Sequence, residues 1–172
     1  MKLLRPIALI TSLLLAACGQ AETITRPMPA PEFSGLGQWL NSKPLTVEQL
    51  RGKVVLVDFW TYTCINCIHT LPYVKRWHEL YKDQGLTVVG VHTPEFPEEK
   101  SIDNLKDATR RFDIRYPVVQ DNQYATWEAY GNRFWPAFYL INRKGEVVYR
   151  HYGEGRYDET EATIRKLLAE KA

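Results

Sequence analysis

The chain carries two kinds of apolar rhythm. Val54-Val55-Leu56-Val57 is a continuous β-branched and aliphatic run, and Leu86-Thr87-Val88-Val89-Gly90-Val91 is a second. Runs without polar alternation predict strands buried on both faces of a sheet. Between them, Ile68, Leu71, Val74, Trp77 and Tyr81 recur at spacings of three and four, the period of a helix with one apolar face. Strand, helix, strand at this length is a βαβ unit, so the two strands are predicted to be parallel. Residues 98–112 read as a polar, surface-lying helix and 125–130 as a short one. Residues 137–141 and 146–151 read as strands, and Asn142-Arg143-Lys144-Gly145 joins them tightly enough to make an antiparallel hairpin. Residues 157–169 close the chain as an amphipathic helix with Ile164, Leu167 and Leu168 on its apolar side. There is no internal repeat. The expected architecture is α/β, a central mixed sheet with helices on both faces, built from residues 33–172. About 140 residues can bury a competent core without disulfide staples.

The N-terminus follows a different pattern. Lys2 and Arg5 precede an almost wholly apolar run, residues 7–17. A positive start and an apolar run of about 7–15 residues is the pattern of a secretory signal peptide, and the run is short of the ~20 residues that span a bilayer. It ends Leu15-Ala16-Ala17-Cys18-Gly19, which resembles the bacterial lipobox. That resemblance implies that residues 1–17 are removed and that acylated Cys18 anchors the chain in a lipid bilayer, two or more acyl chains being enough for stable attachment. Gly19 in place of aspartate implies the outer membrane in a cell with two membranes, with the domain facing the periplasm. Residues 18–32 contain Pro27, Pro29 and Pro31 and show no helical or strand period, so they read as a tether. A proline-rich linker extends about 3.1 Å per residue and would hold the domain roughly 40 Å from the membrane.

Composition narrows the classes. Of 172 residues 45% are hydrophobic and 24% charged, the balance of a globular protein. The formal charge is +2, and removing Lys2 and Arg5 with the leader leaves 20 basic and 20 acidic side chains. No basic run points to nucleic acid. No long exposed apolar stripe is evident, so a monomer is expected.

Three cysteines are too few for a disulfide scaffold. Two of them, Cys64 and Cys67, follow the first strand and open the helix. A helix N-terminus presents free N–H groups and the positive end of the macrodipole, which stabilise a thiolate. Cys64, at the exposed end, is the expected attacking sulfur. Cys67, one turn later, is expected to be more buried and to resolve the mixed disulfide. A structural zinc site would need a second ligand pair, and none exists here. A purely structural disulfide closing so short a loop would stabilise little.

The stretch Val57-Asp58-Phe59-Trp60-Thr61-Tyr62-Thr63-Cys64-Ile65-Asn66-Cys67 resembles the active-site segment of thioredoxin-fold proteins. The resemblance is closest to extracytoplasmic TlpA/ResA-like proteins and, within them, to the thioredoxin-like domain of DipZ-type proteins. It rests on Asp58, Trp60 and Pro72 at their positions around the cysteines, on Pro136 ahead of the strand 137–141, and on Val91-His92-Thr93-Pro94-Glu95-Phe96 and Asp121-Asn122 with Trp127, Tyr130 and Trp135. It implies a thioredoxin-like three-layer α/β/α sandwich and a thiol–disulfide oxidoreductase working through a Cys64–Cys67 disulfide, with no other cofactor and no metal. It implies that buried Asp58 takes a proton from Cys67, and that Pro136 is a cis-proline whose neighbouring backbone pairs with an extended substrate. Trp60, Tyr62, Trp135 and Glu95 are the candidate lining of a substrate groove. Disulfide-containing extracytoplasmic proteins are the implied partners, with a membrane electron donor such as a DsbD-type protein to reduce the pair again. Many TlpA/ResA-like proteins carry glutamate three residues after the second cysteine; here that residue is Thr70.

Two other readings share these residues. Thr61-Tyr62-Thr63-Cys64 fits the Thr-x-x-Cys of peroxiredoxins, although Val57 stands where that family has proline. Cys64 and Cys67 are also soft ligands for Cu(I), with His69 or His92 as a third. His69 otherwise reads as an exposed helix residue, and His78 and His151 as surface or packing.

Overall fold

The computed structural model describes residues 21–170. Seven strands form one mixed sheet: β1 (Ala21–Pro29), β2 (Trp39–Leu40), β3 (Val54–Trp60), β4 (Leu86–His92), β5 (Val118–Gln120), β6 (Ala137–Ile141) and β7 (Glu146–Tyr152). Their spatial order is β1-β7-β6-β3-β4-β5-β2. Four α-helices accompany them: α1 (Ile65–Tyr81), α2 (Ile102–Arg111), α3 (Ala125–Ala129) and α4 (Tyr157–Ala169). β3 pairs parallel with β4 through α1, as the apolar runs predict, and antiparallel with β6. β6 and β7 form the predicted antiparallel hairpin.

Every residue of β3 is buried, because both faces are covered. On one face Val54, Leu56 and Trp60 pack with Leu71, Val74 and Trp77 of α1, Leu105 of α2 and Ile164 of α4. On the other, Val55, Val57 and Phe59 pack with Phe33, Val47 and Leu50 of the segment before β3 and with Trp127 of α3. The two-residue period of a strand thus decides which layer each side chain enters. Asp58 belongs to the even-numbered set and points to the α1 layer, the layer that holds Cys67.

The expectation of an unstructured tether over 18–32 is corrected across most of its length. Ala21–Pro29 is an edge strand, antiparallel to β7, with an irregularity between Thr23 and Met28. Proline is tolerated on an edge strand, where one row of N–H groups has no ladder partner, so Pro27 and Pro29 do not exclude pairing. Cys18 and the leader lie outside the described residues. The polar stretch 98–112 is also divided: a 3-10 turn at Pro97–Lys100 precedes α2, which starts at the Ser101 cap, the Ser101 hydroxyl accepting from Asn104 N–H. β2 and β5 have two and three residues and no periodic signal of their own. Among the described residues no helix is long and apolar enough to cross a membrane.

Candidate active site

β3 delivers the chain to the start of α1, and Cys64 is the N-cap of that helix. Its sulfur accepts a hydrogen bond from Cys67 N–H at 3.4 Å. Cys64 is partly exposed and Cys67 fully buried; both are free thiols. The hydrogen bond with the Cys67 side chain, helped by N–H groups of Cys67 and Asn66, lowers the Cys64 thiol to about 7 against the opposing effects of burial and Glu95. Burial, then the interaction with Cys64, pushes Cys67 far above the ordinary thiol range. Two sulfurs three residues apart therefore present one thiolate near neutral pH and one retained proton.

Asp58 lies beneath this pair, fully buried. Burial, and next the charge of Cys64, raise its carboxyl to about 8, and Asp58 in turn raises Cys67. Among the described residues neither carboxyl oxygen has a hydrogen-bond partner, and the same holds for Trp60 Nε1 and Tyr116 Oη. Gly90 pairs in register with Asp58 across β3 and β4. A Cβ there would sit 3.0 Å from Trp60 Nε1 and 3.0 Å from the Tyr116 ring, so the missing side chain admits both. Tyr116 is fully buried and is influenced, after burial itself, by Asp58 and Cys67. The sequence pattern does not single out Tyr116, since only the return of the chain before β5 brings it under the cysteines.

Pro136 follows a cis Trp135–Pro136 bond and directly precedes Ala137, which pairs with Phe59. Trp135 is half-buried; its indole N–H donates to Thr93 O at 3.0 Å and its ring lies 4.2 Å from that of Trp127. Glu95 is exposed, close enough for its charge to raise Cys64. Of these two, Glu95 is the one whose charge reaches the reactive sulfur. Trp60 and Tyr62 do not share the open surface. Trp60 is 0% exposed and Tyr62 9%, with the Tyr62 hydroxyl donating to Glu98 O and its ring stacked on His92. They form the wall behind the site, because β3 carries them into the core before the chain turns outward at Cys64.

A residue outside the sequence motif holds that wall. Glu99, in the 3-10 turn, is buried. It accepts hydrogen bonds from the Thr63 hydroxyl and from the N–H groups of Glu95 and Phe96, the latter at 2.5 and 3.0 Å. Burial alone would raise its carboxyl, but the hydroxyls of Thr61 and Thr63 and these N–H groups outweigh it and keep the carboxyl low. It thus ties the residue before Cys64 to the loop after β4. A glutamate four residues after Glu95 in a polar stretch carries no sequence signal of this role.

The histidines are otherwise engaged. His92 is fully buried, with Nε2 3.1 Å from Thr61 Oγ1, and burial lowers it to about 4, so it is neutral at physiological pH. The threonine of the Thr-x-x-Cys pattern is thereby turned toward His92. His69 is exposed and pairs with Glu154 at 3.2 Å. Among the described residues no group of three His, Cys, Asp or Glu side chains could hold a metal ion. Thr70, the departure from the glutamate pattern, is buried and donates its hydroxyl to Cys67 O at 2.7 Å.

Comparison with known proteins places the chain by family and fold. Residues 26–168 match the family model described as Redoxin. Over 142 residues, 81% of this chain, the sequence is 49% identical to Protein DipZ of Mycobacterium bovis, of which it spans only 20%. It is 32% identical over 143 residues to the thiol-disulfide oxidoreductase YkuV of Bacillus subtilis, covering 83% of this chain and 95% of that one. A crystal structure of a thioredoxin-like superfamily protein superposes with a TM-score of 0.79 at 31% identity, over 84% of this chain and 99% of the other. With its buried and exposed cysteines at the head of α1, the chain belongs to the Redoxin family, among the thioredoxin-fold thiol–disulfide oxidoreductases.

Proposed function

We propose that this protein is a membrane-tethered thiol–disulfide oxidoreductase that reduces disulfides of extracytoplasmic partner proteins. The observation that carries the reading is the contrast at the head of α1: an accessible Cys64 thiol lowered to about 7 above a buried, proton-retaining Cys67 and a buried Asp58 raised to about 8. Cys64 thiolate attacks one sulfur of the partner disulfide, forming a mixed disulfide and releasing the other partner sulfur as a thiolate. In the mixed disulfide Cys64 carries no charge, which favours the ionised form of Asp58. Cys67 then attacks Cys64 Sγ while that carboxylate accepts its proton, and the second partner sulfur leaves. The partner gains two electrons and this protein becomes the Cys64–Cys67 disulfide. No further cofactor takes part in these steps.

A membrane electron donor, a DsbD-type protein by resemblance, returns the pair to the dithiol. Pro136, Trp135 and Glu95 border the sulfur that the partner must approach. Acylated Cys18 holds the domain, a monomer, on the extracytoplasmic side of the cell envelope, in the outer membrane where there are two.

The test is the reduction potential of the Cys64–Cys67 pair in residues 19–172, equilibrated in dithiothreitol or glutathione buffers. A two-electron titration near thioredoxin's roughly −270 mV makes it a reductant. A value near about −120 mV, that of a strong oxidant, reverses the direction of electron flow. A pair with no reversible disulfide removes the reading altogether.

A further inference from the structure

We infer that the Cys64 end of the domain faces the bilayer that holds Cys18, and that the partner is an integral membrane protein with its reacting cysteines at the surface of that bilayer. The inference rests on the acylation of Cys18 proposed above. It comes from the direction and register of the sheet.

β3 runs toward Cys64. β6 is antiparallel to β3, β7 to β6, and β1 to β7. β1 therefore runs away from the cysteines, and the chain enters the sheet at their end. The register makes this specific: Asp58 pairs with Phe138, Phe138 with His151, and His151 with Ala21. Ala21 stands in the same cross-strand row as Asp58, three strand spacings or about 14 Å away. The other end of β1, Pro29, pairs with Glu146 beside the 142–145 turn, the end remote from the site.

Cys18 precedes Ala21 by three residues, at most about 11 Å of extended chain. The polar headgroup layer of one leaflet is itself roughly 5–8 Å deep, so this length does little more than clear it. The ~40 Å standoff expected of a free proline-rich tether does not exist when residues 21–29 belong to the sheet. A soluble partner domain of ordinary size, with a radius of gyration of about 13 Å, has little room between this end and the lipid.

Three of the five large apolar side chains exposed among the described residues lie toward this end; Met28, beside Pro29, and Leu80, in the last turn of α1, lie at the other. Ile65 at the first turn of α1, Phe96 in the loop after β4 and Phe134 ahead of Pro136 are 60%, 52% and 54% exposed, and all three belong to segments that border Cys64. An apolar rim suits a partner whose own surface there lies at the apolar–polar boundary of the membrane.

The test uses the mature acylated protein in vesicles of phosphatidylethanolamine and phosphatidylglycerol. The probe is a transmembrane peptide carrying a disulfide loop, placed either at the end of its apolar segment or beyond a proline-rich spacer of about 12 residues, roughly 37 Å long. The membrane-proximal loop is expected to be reduced at least about tenfold faster, through its higher effective concentration at the site. A flexible linker of about 12 residues inserted between Gln20 and Ala21 is expected to erase that preference. It should leave reduction of a soluble disulfide peptide unchanged. Equal rates for the two loops, or a faster spaced loop, overturn the inference while the oxidoreductase reading stands. A mature chain without acyl groups at Cys18, read by mass, overturns it through its premise. Loss of activity on the soluble peptide would instead strike the proposed function itself.

Discussion

Cys64 and Cys67 lie one helical turn apart and behave as opposites. Cys64 caps α1 in partial contact with solvent, and donors around it favour its charge. Cys67 faces a buried layer in which Asp58, Trp60 Nε1 and Tyr116 Oη have no hydrogen-bond partner among the described residues. The difference shows that the helix N-terminus is not what separates the two thiols, since both share it. Depth separates them. Desolvation disfavours the charged form wherever it acts, so the same turn of helix yields a nucleophile outside and a proton store inside.

The comparison breaks most completely at the sulfurs. Cys64→Ser is expected to abolish turnover of a disulfide peptide, whereas Cys67→Ser should still attack and accumulate the mixed disulfide, visible as a mass adduct. An adduct on Cys64→Ser instead would exchange the two roles.

Asp58→Asn tests the inner region next. The resolving step should slow by about 10²-fold, the usual scale for loss of a general base, with the first attack intact. Stability should move the other way. Asp58 rises from its unfolded value near 3.9 to about 8 on folding. The native state therefore holds more protons than the unfolded state between these values. The wild type loses stability as pH increases through that window and keeps it below. By pH 7 the accumulated loss is about 4 kcal/mol, which Asp58→Asn should largely restore. Denaturant unfolding at pH 5 and pH 8 reads this directly, and an unchanged slope with pH would contradict the buried-acid account.

Glu99→Ala probes the support of the outer region. It leaves two part-buried N–H groups and the Thr63 hydroxyl without their acceptor, at about 1 kcal/mol, and should blunt the alkylation rate of Cys64 by loosening both flanking segments. The smallest effect belongs to Glu95→Gln. Removing a charge that raises Cys64 should move the midpoint of its pH-dependent alkylation, near pH 7 in the wild type, down by a few tenths of a unit. A shift upward would mean that Glu95 acts on Cys64 by some route other than its charge.

Much of this was legible in the chain. β3, β4, β6 and β7 could be read because continuous apolar runs and a tight turn carry their own signal. β1 could not, because two prolines, Pro27 and Pro29, mask a strand that only an edge position permits. β5 and β2 were too short for a period to show, and they pair only because the sheet is already there to receive them. In the site, Cys64 and Cys67 follow from their spacing at the head of one helix, and Asp58 from the resemblance to thioredoxin-fold proteins. Glu99, His92 and Tyr116 reach it from elsewhere in the chain. His92 belongs to a segment that carries the family resemblance, but no local pattern marks Glu99 or Tyr116, and long-range packing decides that they end beside the cysteines.

The sequence by itself determined the pair of thiols and the helix whose N-terminus they share, properties of neighbouring residues set by periods of two and of 3.6. It pointed to Asp58 through the resemblance to thioredoxin-fold proteins. Tertiary structure alone decided how deeply the second thiol is buried, which distant carboxylate braces the first, and at which end of the sheet the chain enters. Each of these depends on strands brought together from opposite ends of the chain. The desolvation and the direction that result belong to the assembled sheet and to none of its segments.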